Sequence, residues 1–68
     1  QNNNPNKALE CYNKAIELNK DFAEAYFNRG LCKIRIGEND SGVADLSKAG
    51  EMGIYVAYNI IKRFREKD

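Results

Sequence analysis

Slid against itself by 34 residues, the chain aligns at two separate stretches. The shift sets Ala8 on Gly42, Leu9 on Val43, Tyr12 on Leu46, Lys14 on Lys48, Ala15 on Ala49 and Leu18 on Met52. It also sets Ala23 on Ala57, Tyr26 on Ile60, Phe27 on Ile61 and Asn3 on Gly37. Because both stretches share one register, the repeating unit includes both of them and the turn between. A unit of that length cannot bury its apolar face alone and must stack on neighbours of its own kind. This constrains the fold more than any other feature.

Within the unit the apolar residues recur at helical spacing. Asn4 is placed to cap a first helix that opens on Pro5, where the missing N–H costs nothing. Ala8, Leu9, Tyr12, Ala15 and Ile16 then form one stripe. Asp21 stands three residues before Glu24, the spacing of a capping box, at the start of a second helix carrying Ala23, Tyr26, Phe27, Gly30, Leu31 and Ile34. Gly37 ends it. A third helix is expected to bury Val43, Leu46, Ala49 and Met52, with Gly50 and Gly53 weakening its end. A fourth carries Ala57, Ile60, Ile61 and Phe64. No stretch shows the alternation of a half-buried strand. The pattern predicts an all-α chain of four helices, near residues 5–18, 22–36, 40–52 and 55–66, in antiparallel pairs joined by short turns.

Composition narrows the function. A chain of 68 residues makes one domain, burying only about 60% of the surface its unfolded form exposes, so regular packing or a partner is needed. Eleven Lys and Arg against ten Asp and Glu leave a net charge of +1, too little to draw nucleic acid or acidic lipid. No apolar run approaches the roughly 18 residues of a membrane span, and the opening "QNNNPNK" is no signal region. A soluble, cytoplasmic protein is expected, and Gln1 in place of an initiator Met reads as the start of a fragment. With no His, mixed Cys/His metal sites and His-based catalysis are excluded, and neither metal nor cofactor is expected. Cys11 and Cys32 match no metal or redox spacing and are expected as reduced core residues. Nothing sets a nucleophile beside a base, so no enzyme is expected.

A helix–turn–helix unit of about 34 residues resembles the tetratricopeptide repeat (TPR) family. Tyr26 stands where that pattern has its Trp, Gly30 its first Gly, Gly42 its small residue, Leu46 its large apolar residue and Ala49 its second Ala. Arg29 and Lys33 stand where the family usually has Leu and Tyr, and Lys20 and Ile54 where it has Pro. The resemblance implies an α-α superhelix of right-handed sense. Residues 5–20 would be the second helix of an incomplete repeat, 22–53 a complete repeat and 54–66 a C-terminal capping helix. Phe64 replaces the glycine of the preceding unit and would forbid close approach of a further helix, while Lys62, Arg63, Arg65 and Glu66 give that cap a polar outer side.

The resemblance also implies a protein or peptide partner, held in a groove by first-type helices. Carried over position by position, the groove residues are Glu24, Phe27, Asn28, Leu31, Ile34 and Arg35 from one helix. The cap would add Tyr58, Ile61, Lys62 and Arg65. Asn28 and Lys62 match positions that grip a carboxylate in some members, although Tyr58 holds the other basic position. Phe27, Leu31 and Ile34 form an apolar ridge that either packs within the chain or awaits a partner. Leu9, Tyr12 and Ile16 are expected to be partly uncovered and open to self-association as a homo-oligomer. The alternative role is a purely structural cap on a longer array.

Overall fold

Short-range signals place the helix ends. In the computed structural model, which describes residues 4–66, Asn4 is extended and its Oδ1 accepts the N–H groups of Asn6 at 3.1 Å and Lys7 at 3.4 Å. Two donors left orphaned by the first turn are thereby satisfied. Helix α1 follows as Pro5–Leu18. Helices α2, Ala23–Arg35, and α3, Asn39–Glu51, both stop in the same way. Gly37 and Gly53 take φ of 93° and 113°, which only glycine adopts without strain. The next amide reaches back, Glu38 N–H to the Lys33 carbonyl at 2.8 Å and Ile54 N–H to the Ala49 carbonyl at 3.0 Å. This closure satisfies carbonyls the last turn leaves free. Helix α4 is Val56–Glu66. The four helices are those the periodicity predicts, with ends shifted by at most one residue, and no strand occurs among the described residues. Asn3, the repeat counterpart of Gly37, lies outside them.

The start of α2 differs from expectation. Its N-cap is Phe22, with no side-chain cap, so Asp21 and Glu24 do not form a capping box. The Asn19 Oδ1 instead accepts the Asp21 N–H at 3.0 Å and turns the chain one residue later than the box requires.

Each helix packs on its neighbours in sequence, most extensively α2 on α3. The reason is Gly30 and Gly42: a Cβ on Gly30 would lie 2.8 Å from the Gly42 carbonyl oxygen and 2.9 Å from Leu46 Cγ. Small residues bring the two backbones together and Leu46, 0% exposed, fills the space beside them. Leu46, Ala49, Ala57 and Ile61 form the sealed core, against which Tyr26, Phe27, Leu31 and Ile34 of α2 pack together with Val43, Ile54 and Ile60. Val43 and Met52 are half-buried rather than buried. Cys32 is buried as expected, but Cys11 is exposed. Both thiols are free.

Candidate functional site

The internal repeat gives a measure of what is covered and what is not. Shifted back by one repeat, the four core residues Leu46, Ala49, Ala57 and Ile61 become Tyr12, Ala15, Ala23 and Phe27. The first four are buried and the second four are only half-buried. Gly42 and its counterpart Ala8 differ in the same way. The later core is closed because α2 lies across it, and no described helix lies in the corresponding place across α1 and α2.

An open groove of about 1070 Å³ runs there. Lys7, Ala8, Cys11 and Tyr12 line it from α1, with Asn4 and Pro5 at one end. Asn28, Leu31, Cys32 and Arg35 line it from α2. Its floor is apolar and small, and the Cys32 thiol donates to the Pro5 carbonyl at 3.4 Å, tying the two helices together beneath it. Lys7 and Arg35 are the charged residues of the lining, no carboxylate lines it, and neither cation has an acidic partner among the described residues.

Of the residues expected in a partner groove, Asn28, Leu31 and Arg35 do line this one. Phe27, Leu31 and Ile34 pack against the core, and Ile61 belongs to it. Glu24, Tyr58, Lys62 and Arg65 are exposed, Tyr58 with its ring over Gly50. Of the face expected to self-associate, Ile16 is buried and Leu9 and Tyr12 are half-buried, so only the latter two remain accessible.

The arrangement missed from sequence centres on Asp45. This carboxylate, 7% exposed, accepts Arg29 Nε–H at 2.7 Å and Nη2–H at 2.8 Å in a two-pronged pair. Lys33 Nζ lies 3.2 Å from the same carboxylate and donates to Ser41 Oγ at 2.8 Å. Arg29 also donates to Asn13 Oδ1 at 2.8 Å and lies over the Tyr26 ring, 5.5 Å from its centre. The hydrogen bonds it donates to Asp45 hold the guanidinium pKa above its ordinary value, against the opposing cost of burial. Arg29 and Lys33 are two of the residues that depart from the family pattern, and both cations are met by the Asp45 carboxylate. Two cations one helical turn apart on the face toward α3 were the available signal.

Antiparallel helix pairs repeating at 34 residues around a shared core define a helical-repeat protein, a class whose members present faces and grooves rather than enclosed pockets. The TPR repeat family model matches residues 1–37, and the chain belongs to the tetratricopeptide repeat family. It is 35% identical over 48 residues to the TPR repeat-containing thioredoxin TDX of Arabidopsis thaliana. That match covers 71% of this chain and 13% of the relative, so the chain spans a small part of that relative's length. No solved structure matches the chain. Among the described residues no helix is long and apolar enough to cross a membrane, and no cluster of three or more His, Cys, Asp or Glu could hold a metal ion.

Proposed function

We propose that the chain is a non-enzymatic protein-interaction module that seats a segment of another protein between α1 and α2. One observation carries this reading: an open groove of about 1070 Å³ lies between α1 and α2, with Ala8, Tyr12 and Leu31 among its lining. A concave surface that presents apolar side chains suits a protein partner. Carriage of repeats by a relative that also bears a thioredoxin name is consistent with a binding segment that serves a larger protein. The exposed residues Glu24, Tyr58, Lys62 and Arg65 can add polar contacts at the periphery, but their apolar neighbours are committed to the core.

The test is selection of helical peptides from a displayed random library against the folded chain, with the site mapped by amide chemical shifts. Perturbation centred on Ala8, Tyr12 and Leu31 supports the reading. Binders that perturb only α3 and α4, or no binders at all to a chain that is folded by circular dichroism, overturn it.

A second reading is favoured by the far end. Phe64 is half-buried at the position where α2 has Gly30, and Lys62, Arg63, Arg65 and Glu66 are all exposed. A bulky residue at the close-approach position and a charged outer side suit a terminal cap. The two roles are compatible, since they use opposite ends of the chain.

A further inference from the structure

We infer that Arg29 is a strut coupling two helix joints, so that the packing of α1 on α2 depends on Asp45, a residue of α3. A change at the α2–α3 joint then loosens or tightens the joint beneath the α1–α2 groove. The guanidinium is rigid and planar, so two bonds along one edge fix the direction of every other N–H it carries. Asp45 takes that edge, accepting from Nε at 2.7 Å and from Nη2 at 2.8 Å. The remaining nitrogen, Nη1, is thereby held toward α1, where it donates to Asn13 Oδ1 at 2.8 Å. The Tyr26 ring, its centre 5.5 Å from the guanidinium carbon, narrows movement out of the plane. One side chain of α2 thus spans three successive helices.

The bond from Arg29 to Asn13 is exposed and by itself would hold little, because water competes for both groups. Asp45, 7% exposed, has already oriented the donor, so the entropy of ordering the arginine is not lost a second time. Lys33 takes no part in this coupling. Its Nζ lies 3.2 Å from Asp45 and donates to Ser41, both on α3, and it ties α2 to α3 alone. Two cations meet one carboxylate, and Arg29 is the one that continues to α1.

The α1–α2 joint carries its own reporter. Cys32 is 8% exposed and its thiol donates to the Pro5 carbonyl at 3.4 Å, so a reagent reaches it when α1 lifts from α2 or the chain unfolds. Loosening of this joint therefore reads as faster reaction at Cys32.

The experiment follows Cys32 with an aromatic disulfide reagent in the full chain carrying Cys11→Ser, because Cys11 is exposed and would react first. Asn13→Ala removes the acceptor on α1, and Asp45→Asn removes the charge that orients the donor. Each is expected to speed the reaction about fivefold, the effect of losing one ordinary hydrogen bond. Combined, they should still give about fivefold and not about 25-fold, since both interrupt the same strut. With Arg29→Met present, neither should change the rate further. Lys33→Met is the control for general weakening around Asp45, and it should leave the rate within about twofold. Reaction through global unfolding is recognised by its steep urea dependence and is avoided by measuring well below the midpoint of each variant. An unchanged rate in Asp45→Asn, rates that multiply in the double variant, or a Lys33→Met rate raised as much as that of Asp45→Asn each overturn the strut.

Discussion

Gly30 and Gly42 face each other across α2 and α3 with no room for a methyl group on either. A Cβ on Gly30 would lie 2.8 Å from the Gly42 carbonyl oxygen, and one on Gly42 would lie 2.8 Å from the Gly30 carbonyl oxygen. Both obstacles are backbone, which cannot swing aside.

Gly30→Ala is therefore expected to destabilise the chain despite favouring the helix. Alanine gains up to about 1 kcal/mol over glycine in a helix interior, but overpacking at this contact costs roughly 1–3 kcal/mol and more for Gly30→Leu. Urea denaturation should show a lower midpoint for Gly30→Ala. Gly50→Ala should be milder, because the obstacle there is the Tyr58 ring, a side chain that is 43% exposed and has room to move toward solvent. Equal losses at the two sites would place the tight contact elsewhere.

Asp45→Ala removes the shared partner of Arg29 and Lys33. Both cations keep 18% side-chain exposure and can turn toward water, so the expected cost is about 1–3 kcal/mol, below that of breaking a fully buried pair. Replacing the three together, Arg29→Met, Lys33→Met and Asp45→Leu, should recover most of the loss, since apolar groups of similar volume leave no buried charge unpaired and the oxygens of Asn13 and Ser41 that lose a donor are exposed to water. A triple variant less stable than Asp45→Ala would show that the network contributes more than it costs to bury.

Alkaline titration distinguishes the guanidinium from an ammonium. Asp45 raises the Arg29 pKa above its ordinary value. A group raised on folding contributes stability that is complete below its unfolded pKa and is lost only as pH rises through the folded one. The pair's cation should thus remain through pH 11. In Arg29→Lys, the substituted side chain has an ordinary pKa of about 10.4, so the stability gap between the two proteins should widen from pH 8 to about 11. A constant gap in urea midpoints would refute this.

The two thiols should separate by accessibility. Cys11 is exposed, whereas Cys32 is 8% exposed and donates to Pro5. Titration with an aromatic disulfide reagent without reductant should count one fast thiol in the folded chain and two in denaturant. Two fast thiols under native conditions would mean that α1 and α2 open readily.

Helix positions were legible because they depend on neighbours in the chain. Pro5 suits a first turn through its missing N–H, and Gly37 and Gly53 suit a last turn through their positive φ, whatever else is nearby. Asp21 and Glu24 had the right spacing for a cap, yet a competing hydrogen bond from Asn19 moved the boundary by one residue. Such contests between adjacent side chains turn on small free energies, and spacing alone does not decide them.

Repeat and fold were determined by amino-acid order alone, since a 34-residue period in apolar residues admits few ways to bury them. Burial was not, because it depends on whether another helix lies across a given face. Tyr12 and Leu46 occupy equivalent positions, as do Cys11 and Asp45, but α2 seals one of each pair and leaves the other open. Asp45 reads as an ordinary helical acid until the fold brings Arg29 and Lys33 onto it from another helix. Lys7, far from Arg35 in sequence, joins it in one groove for the same reason: only the packing of α1 on α2 brings their charges together.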